Sequence, residues 1–499
     1  MNDFDGEEIP RLGLQMAKKF ALGGLLIVLL TTIAVSSALL LEVHQDVTVF
    51  ARESTPIPGI ENVLDEVPAG DPQTILLLGS DRRYGDGKDN PPRADTIIVV
   101  RLDPDKKATA IMSLPRDLKV QIPGYGTQKI NGAYHLGGPK LTVRTVRRLL
   151  ESASGGRTFP ISHVVNVNFG GFSRAVNRLG CVYADVDRRY FNDNSRGENY
   201  ATIDLKPGYQ KLCGQDALDY VRFRHDDSDF VRAARQQQFL GSAKEQIGLG
   251  KLFGDRGELL KIFGRYTQTD IAQKNDAAIL RLIKLAYEAS KTPLREIPFP
   301  AEDTSGGFVE ISSAALQKTV DRFIEVRGTE PRNNTSKKPK RIKATKGLAR
   351  GLMLAERQGE DHVLAMDLRL GGLGLPVYFP KARLSRGDYV KTSSPRSYEI
   401  FDRSKNRYRA YRIALWHGET GQYYGVQGTT WKAAPILDNP TDEVRMRKRT
   451  YKRYFDGRKI RLIAWETPKA VYWVSNTLSQ RLTNKQMMGI ARSLQRIGQ

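Results

Sequence analysis

The sequence predicts an α/β protein: an α/β/α layered domain after one transmembrane helix, followed by a smaller, basic α+β domain. Three observations lead to this prediction. Strand-like and helix-like apolar patterns alternate from Thr74 onward, which is typical of a sheet with helices on both faces. A long stretch without a charged residue, 20–41, precedes them. Basic residues are concentrated in the last third of the chain.

The charge distribution sets the C-terminal third apart. The 499-residue chain has 78 Lys and Arg against 55 Asp and Glu, a formal net charge of +23. Residues 331–499 hold 35 basic and 13 acidic side chains, whereas residues 1–330 hold 43 and 42. A domain with this balance is expected to meet an anionic partner such as nucleic acid, phospholipid headgroups or a phosphate-bearing polymer.

The uncharged stretch, residues 20–41, predicts a retained membrane anchor. A helix of this length spans the roughly 30 Å hydrocarbon core of a bilayer. The alternative, a cleaved signal peptide, usually has an apolar region of only about 7–15 residues. Basic residues are more frequent directly before the stretch than directly after it. The positive-inside rule therefore predicts a cytoplasmic tail, 1–19, and places the rest of this single-pass protein outside the cytoplasm, at the cell membrane.

The rest of the chain divides into four predicted segments. Residues 42–71 contain several prolines and are interpreted as a linker. The catalytic domain is predicted at 72–328, with strands at 75–78, 96–102, 108–114, 164–169 and 182–186 and a helix at 141–151. Residues 329–350 form a basic linker with few apolar side chains.

The last segment, 351–499, is predicted to be a separate α+β domain. Its strands are expected at 375–380, 408–415, 421–426, 460–465 and 470–474. Thr483 and Gln486 have the spacing of a capping box, so they open a closing helix. This segment has no catalytic pattern. In the whole chain there is no CxxC pair and no HExxH motif, which excludes the common zinc-site patterns.

A stretch rich in arginine lies at 219–240. Residues 220–224 alternate between apolar and basic side chains, which predicts a strand with Arg222 and Arg224 on one face. An acidic tract then supplies N-cap residues for a helix that carries Arg232, Arg235 and Gln236. Guanidinium groups suit phosphate oxygens and keep their charge. The alternative is a salt-bridge network with the neighbouring aspartates.

Six short motifs follow one another along the chain. They are Gly79-Ser-Asp-x-Arg83, Ala94-Asp-Thr96, Pro115-Arg-Asp117, Lys129-Ile-Asn131, Tyr220-Val-Arg-x-Arg224 and Asp229-x-x-Arg-x-x-Arg-Gln-Gln237. Each is weak alone, but in this order they resemble the LytR-CpsA-Psr (LCP) family of cell-envelope phosphotransferases over roughly residues 72–325. The resemblance implies that the layered domain has the LCP-type fold.

The resemblance also implies the site residues. In the family, aspartates matching Asp81 and Asp95 hold a divalent metal, Mg²⁺ or Mn²⁺, at a pyrophosphate. Other family members hold the pyrophosphate oxygens with arginines that match five positions of this chain. The five are Arg83, Arg116, Arg222, Arg224 and Arg232, completed or supported by Arg235 and Gln236. Asp81, Asp95 and Arg116 are thus the predicted catalytic residues. Nothing in the sequence chooses between Asp81 and Asp95 as the proton acceptor.

The implied reaction is phosphoryl transfer from a polyprenyl-pyrophosphate-linked glycan to a peptidoglycan sugar hydroxyl, which forms a phosphodiester. The basic C-terminal domain would then bind anionic envelope polymer or phospholipid. Three alternatives stay open. The first is a non-catalytic, polymer-binding scaffold. The second is a membrane-tethered transcriptional regulator, which the predicted exterior location and the lack of a helix-turn-helix pattern oppose. The third is a pyrophosphatase that uses water as acceptor.

The two cysteines, Cys181 and Cys213, allow two interpretations. Buried thiols are the simpler one, and the spacing alone favours it slightly. Cys181 stands where the family commonly has the second glycine of Leu-Gly-Gly-Val, and the predicted exterior location makes a Cys181–Cys213 disulfide equally tenable.

Overall fold

The structure, a computed structural model, is built around two large β-sheets. It describes residues 53–68, 70–80, 94–156, 158–195, 201–223, 229–247, 255–271, 274, 278–279, 281–282, 284–285, 289, 292, 294–304, 306–326, 340–341, 347–367, 374–446 and 449–498. No helix within these residues is long and apolar enough to cross a membrane. The predicted anchor, 20–41, lies outside the described residues.

The N-terminal two thirds are built on a mixed six-stranded sheet. In chain order the elements are β1 (Gln73–Ser80), β2 (Ala94–Asp103), β3 (Ala108–Leu114), β4 (Lys119–Ile122), β5 (Gly126–Lys129), α1 (Ile130–Glu151), β6 (His163–Asn168), α2 (Phe169–Arg178), β7 (Val182–Val186), β8 (Tyr190–Asn192), β9 (Ile203–Leu205), β10 (Gly208–Leu212), α3 (Gly214–Arg222), α4 (Asp229–Gln246), α5 (Arg256–Tyr266), β11 (Thr267–Thr269), β12 (Leu294–Glu296), β13 (Glu302–Asp303), β14 (Val309–Glu310) and α6 (Ser313–Ile324). The central strand order is β11-β6-β1-β2-β3-β12.

Helices cover both faces of this sheet, as the α/β/α prediction requires. On one face, α1 and α6 pack against the strands through a core that includes Val146 and Phe323. On the other, α2 and α5 contact β6 while α4 contacts β3. Helix α1 begins at Ile130, well before the predicted start at 141, and is kinked at Gly137 and Gly138 just before Pro139. A proline ring obstructs the preceding helical turn, so the sequence pattern indicated only the part after the kink.

The predicted strand at 220–224 is wrong. Residues up to Arg222 belong to helix α3, and Phe223 is the first extended residue after it. The helix buries Ala217, Leu218 and Tyr220, which share the helical rather than the strand period. A five-residue alternation is too short to distinguish the two periods. The change places Arg222 one helical turn after Asp219, where an ion pair can form.

The C-terminal third forms a second, larger sheet. Its elements are β15 (Lys340–Arg341), β16 (Leu352–Leu354), α7 (Glu356–Asp367), β17 (Tyr378–Pro380), β18 (Ala382–Leu384), β19 (Asp388–Tyr389), β20 (Arg396–Phe401), β21 (Arg407–Trp416), β22 (Tyr423–Thr429), β23 (Asp442–Met446), β24 (Arg449–Asp456), β25 (Lys459–Glu466), β26 (Val471–Ser475), α8 (Asn484–Ser493) and β27 (Leu494–Arg496). The order is β15-β23-β24-β25-β26-β22-β21-β19, and β20 also pairs with β21. Strand β15 lies within the segment predicted to be a linker.

Helix α8 covers one face of this second sheet. The capping box predicted at Thr483 and Gln486 is present, and it fixes where the helix begins. Met487, Ile490 and Ala491 are fully buried and join the core on that face. The closing helix is therefore confirmed, although it ends at Ser493 and the chain continues as the short strand β27.

The other face of the C-terminal sheet packs on the two-stranded β7–β10 sheet of the N-terminal part. Tyr183 and Tyr209 of this small sheet share one buried aromatic cluster with Trp431 and Trp473. The ring centroids of Tyr183 and Trp431 are 5.0 Å apart, and those of Tyr209 and Trp473 are 5.6 Å apart. The Tyr183 hydroxyl also donates to the carbonyl of Phe401 at 2.7 Å. The segment predicted to be a separate domain thus shares a core with the catalytic domain.

A buried ion pair lies inside this contact. Arg412 Nη1 of β21 is 3.0 Å from Oδ1 of Asp185 in β7, and Arg412 Nη2 donates to Ser475 Oγ at 3.0 Å. The side chains are 0% and 3% exposed. Gly425 makes room for the guanidinium, because a Cβ there would lie 2.9 Å from Arg412 Cζ. Removing one partner of a buried pair of this kind typically costs about 3–5 kcal/mol, because the other charge is left buried and unpaired.

Candidate functional site

The motifs identified in the sequence converge at one edge of the central sheet. Strand β1 runs parallel to β6 and antiparallel to β2, while β2 is antiparallel to β3. The last residue of β1, Ser80, therefore pairs with Ala94 at the start of β2 and with Asn168 at the end of β6. The end of β3, Leu114, pairs with Ile97 near the same edge. Ligands of α/β proteins gather at such strand ends.

Several predicted site residues cannot be placed from this geometry. Asp81, Arg83 and Arg224 lie outside the described residues. The backbone of Asp95 lies in β2 at the site edge, but its side chain is not described. The predicted metal pair, Asp81 and Asp95, therefore stays a prediction. Within the described residues, no group of three or more His, Cys, Asp or Glu side chains is arranged to hold a metal ion.

Arg116 follows β3 and lies beside a second motif. Its Nε is 3.6 Å from Oδ2 of Asp117, whose Oδ1 is 3.2 Å from Nζ of Lys129. The Arg116 carbonyl accepts the backbone N–H of Asn131 at 3.1 Å. The Pro-Arg-Asp and Lys-Ile-Asn motifs are thus in direct contact. Arg116 keeps 20% of its side chain exposed, so it can reach an anion at the edge.

Arg222 forms the salt bridge that was the alternative to phosphate binding. Its Nη2 and Nε lie 2.6 and 3.0 Å from Oδ1 of Asp219, and Gln215 Nε2 donates to the same oxygen at 2.8 Å. Burial raises the pKa of Asp219, whereas the Arg222 guanidinium and the Gln215 amide oppose that shift. The guanidinium carbon of Arg222 also lies 5.6 Å from the centre of the Phe169 ring. Asp219 therefore orients Arg222 toward the end of β6.

An open cleft lies beside Arg222. Its volume is about 560 Å³. Its walls come from the start of α2, which Asn168 caps by accepting the Gly171 N–H at 3.0 Å, and from α3. The lining residues are Phe169, Gly170, Ser173, Arg174, Asn177, Gln215, Leu218 and Arg222. Two arginines in one cleft, Arg174 and Arg222, make it suitable for an anionic group.

Helix α4 contributes three predicted residues, and all three are buried. Arg235 is 0% exposed, whereas Arg232 and Gln236 retain 5% and 8%. Arg235 Nη2 donates to the Phe223 carbonyl, and its guanidinium carbon lies 4.7 Å from the centre of the Tyr190 ring. Arg235 therefore holds Phe223 at the end of α3. Its role in completing or supporting the set of pyrophosphate-binding arginines stays a prediction.

Gln236 joins two of the motifs directly. Its Nε2 donates to Thr96 Oγ1 at 3.1 Å and to the Val221 carbonyl at 3.0 Å. Thr96 belongs to the Ala-Asp-Thr motif, and Val221 precedes Arg222. One amide thus ties the start of β2 to the end of α3.

Comparisons with known proteins agree with the motif pattern. The sequence profile described as the LytR_cpsA_psr family matches residues 45–343, more than half of the chain. The chain belongs to this family. Its region of similarity to the regulatory protein MsrR of Staphylococcus aureus (strain Mu50) spans 268 residues at 32% identity, or 50% of this chain and 74% of MsrR.

Two further similarities involve teichoic acid transferases. The polyisoprenyl-teichoic acid–peptidoglycan teichoic acid transferase TagT of Bacillus subtilis (strain 168) is 33% identical over 184 residues, 37% of this chain. The match spans only 55% of TagT. The crystal structure of B. subtilis TagV aligns with 51% of this chain and 97% of its own at 27% identity, with a TM-score of 0.40.

The family glycine replaced by Cys181 has a conformational explanation. Cys181 has φ +67°, in the left-handed region that favours glycine. Cys181 and Cys213 are joined by a disulfide with Cα atoms 4.6 Å apart. The bond joins the chain leaving α2 to the residue before α3, so it ties together the two helices that line the cleft.

Sequence reasoning missed three residues that organise the site. Gln237 Nε2 donates to Ser113 Oγ at 3.0 Å, and the Gln-Gln pair of the last motif was a signal for it. Asp219 was not singled out among the aspartates of the salt-bridge alternative, because the segment was interpreted as a strand and the i, i+3 helical spacing to Arg222 was therefore not considered. Arg188 lies outside every motif, and its guanidinium carbon is 5.3 Å from the centre of the Phe223 ring.

Replacing Gln236 with leucine tests the link between β2 and α3. Gln236→Leu keeps a side chain of similar size but removes both hydrogen bonds, so the free energy of unfolding is expected to fall by about 1–3 kcal/mol. Urea unfolding of the full chain in detergent measures the change. The matched control is Gln238→Leu, since within the described part of the chain Gln238 Oε1 has no hydrogen-bond partner. Equal losses in both variants would contradict the assigned role of Gln236.

Proposed function

We propose that this protein transfers a glycopolymer phosphoryl unit from a polyprenyl-pyrophosphate carrier to a sugar hydroxyl of peptidoglycan. The observation that carries the proposal is the convergence of the family motifs at one sheet edge, with Arg116 and Arg222 beside it. The name of the relative TagT, a polyisoprenyl-teichoic acid–peptidoglycan teichoic acid transferase, supports this substrate class.

The chemistry needs charge neutralisation more than covalent help. The acceptor hydroxyl oxygen attacks the phosphorus on the sugar side of the pyrophosphate, and the bond from that phosphorus to the bridging oxygen breaks. Polyprenyl monophosphate leaves with the electron pair, and the hydroxyl proton passes to Asp81 or Asp95. Arg116 and Arg222, with Arg83, Arg224 and Arg232, balance the charge of the phosphoryl oxygens, which carries most of the catalysis in such transfers.

A divalent metal is part of the proposal. Asp81 and Asp95 are the residues that would hold Mg²⁺ or Mn²⁺, because carboxylates plus substrate phosphates form the usual magnesium site. When bound, the metal supplies positive charge at the pyrophosphate. The backbone register supports the pairing, since Ser80, which precedes Asp81 in the sequence, pairs with Ala94, which precedes Asp95.

Arg116→Ala and Asp81→Ala test the ligase directly. Each is expected to lower release of polyprenyl phosphate from a synthetic polyprenyl-pyrophosphate oligosaccharide by about a hundredfold or more, because each removes charge that stabilises the transition state. The assay uses the full chain with Mg²⁺ and an uncrosslinked peptidoglycan oligomer, and chelation is expected to abolish turnover.

The matched control for that assay is Arg144→Ala. Arg144 is exposed on α1, on the opposite face of the sheet from α3 and α4. Its loss should leave turnover within about twofold of the unmodified chain. Tight substrate binding with no turnover, unchanged by Asp81→Ala, would contradict catalysis and favour the polymer-binding scaffold.

A membrane-tethered regulator is the second candidate, because the relative MsrR is named a regulatory protein. The two candidates require opposite locations. The ligase needs the domain that follows the proposed anchor, 20–41, outside the cytoplasm, whereas a regulator needs it inside. A reporter enzyme that works only outside the cytoplasm, fused after Leu41, is expected to be active. Activity of a cytoplasm-specific reporter at the same position would instead support the regulator.

The basic C-terminal sheet is proposed to bind an anionic envelope polymer or phospholipid. Exposed cations on it, such as Lys432, Arg445 and Arg458, support this assignment. The full chain is expected to bind poly(glycerol phosphate), and the affinity should fall steeply when the salt concentration is raised about tenfold, because exposed charges are screened. Replacing the three cations with glutamate should weaken binding. Affinity that is indifferent to salt and to these substitutions would refute the assignment, and neutral dextran serves as the control ligand.

A further inference from the structure

We infer that the C-terminal sheet positions the end of α3, which carries Arg222, and that Tyr423 does this through Arg188. The inference rests on the proposed function for its kinetic readout. Arg188 follows β7 and is 7% exposed. Its guanidinium carbon lies 4.9 Å from the ring centre of Tyr190, 5.3 Å from that of Phe223 and 5.2 Å from that of Tyr423.

The three rings come from different parts of the molecule. Tyr190 begins β8 and Phe223 directly follows Arg222, so both belong to the catalytic domain. Tyr423 begins β22 of the C-terminal sheet. Arginine stacks well on aromatic faces because its delocalised charge is weakly hydrated. Arg188 therefore joins the C-terminal sheet to the residue between Arg222 and Arg224.

Two arginines contact Phe223. Arg235 of α4 donates to the Phe223 carbonyl, and its guanidinium carbon lies 5.8 Å from the Phe223 ring centre. The guanidinium carbon of Arg188 lies 5.3 Å from the same ring centre and 5.2 Å from that of Tyr423. Phe223 caps the C-terminal end of α3, so its position fixes the end of the helix that carries Arg222. Tyr423 thus supports the end of α3 through Arg188.

The backbone that carries Arg188 is already fixed to the C-terminal sheet. Asp185, three residues earlier, forms the buried pair with Arg412 of β21. The Tyr190 hydroxyl donates to Asp187 Oδ1 at 2.5 Å, which holds the segment between them. Arg188 therefore has little freedom to follow Phe223 if the Tyr423 ring is removed. Tyr423 and Arg188 are positioning residues, because they act on the end of α3, and so on Arg222, through Phe223.

Two substitutions at Tyr423 separate stacking from other roles. Tyr423→Ala removes the ring, while Tyr423→Phe keeps the ring and loses only the hydroxyl. The matched control is Phe401→Ala, which removes an aromatic side chain that is 48% exposed on the same sheet. Each variant is made in the full chain, and two quantities are measured. They are the hydrogen exchange of backbone amides at 219–223 and the kcat and KM for a synthetic polyprenyl-pyrophosphate oligosaccharide with peptidoglycan acceptor.

Tyr423→Ala is expected to speed exchange at 219–223 and to lower kcat about tenfold with KM nearly unchanged, the pattern of an interaction needed mainly in the transition state. Tyr423→Phe should restore both values, and Phe401→Ala should change neither. Unchanged exchange and kinetics in Tyr423→Ala would overturn the inference, as would a defect in Tyr423→Phe as large as that in Tyr423→Ala. If the unmodified chain shows no turnover, the proposed function fails, whereas the exchange measurement still decides the coupling.

Discussion

The contact between the two-stranded β7–β10 sheet and the C-terminal sheet is the constraint on which the rest of the structure depends. At its centre, the side chains of Arg412 and Asp185 are almost fully buried, so each needs the other to offset the loss of hydration. The surrounding aromatic cluster excludes water from the pair. The Cys181–Cys213 disulfide connects this small sheet to α2 and α3. The two domains therefore form one continuous framework behind the site edge.

Arginine has two distinct functions around this framework. Arg116 and Arg222 lie at the site edge and retain some exposure, so their charge is accessible to an anion. Arg188 and Arg235 are buried among aromatic rings and hold Phe223, the residue that follows Arg222. Guanidinium is suited to both tasks because it stacks on rings and donates several hydrogen bonds at once. The arginines of this region thus stabilise the structure around the site as well as line the site edge.

Much of the fold could be predicted from sequence, because β1 contains an unbroken apolar run, residues 75–78, and α8 has an explicit capping box. The motifs likewise included residues that contact one another, such as Thr96 with Gln236 and Arg116 with Asn131. Local patterns failed where tertiary contacts decide. Residues 220–224 alternate like a strand, yet the burial of Tyr220 selects a helix. Asp185, Arg188 and Tyr423 lie in no motif, and their pairing appears only when the two sheets meet. Asp81, Arg83 and Arg224 remain sequence predictions.

The central claim is that the site transfers a phosphoryl-linked glycan to peptidoglycan rather than to water. The most direct measurement is mass spectrometry of the products formed by the full chain from a polyprenyl-pyrophosphate oligosaccharide, with and without a peptidoglycan oligomer. The account predicts an oligosaccharide joined to the peptidoglycan through a phosphodiester, with polyprenyl monophosphate released in equal amount. Free oligosaccharide phosphate, formed at the same rate whether or not the acceptor is present, would contradict it and identify a pyrophosphatase.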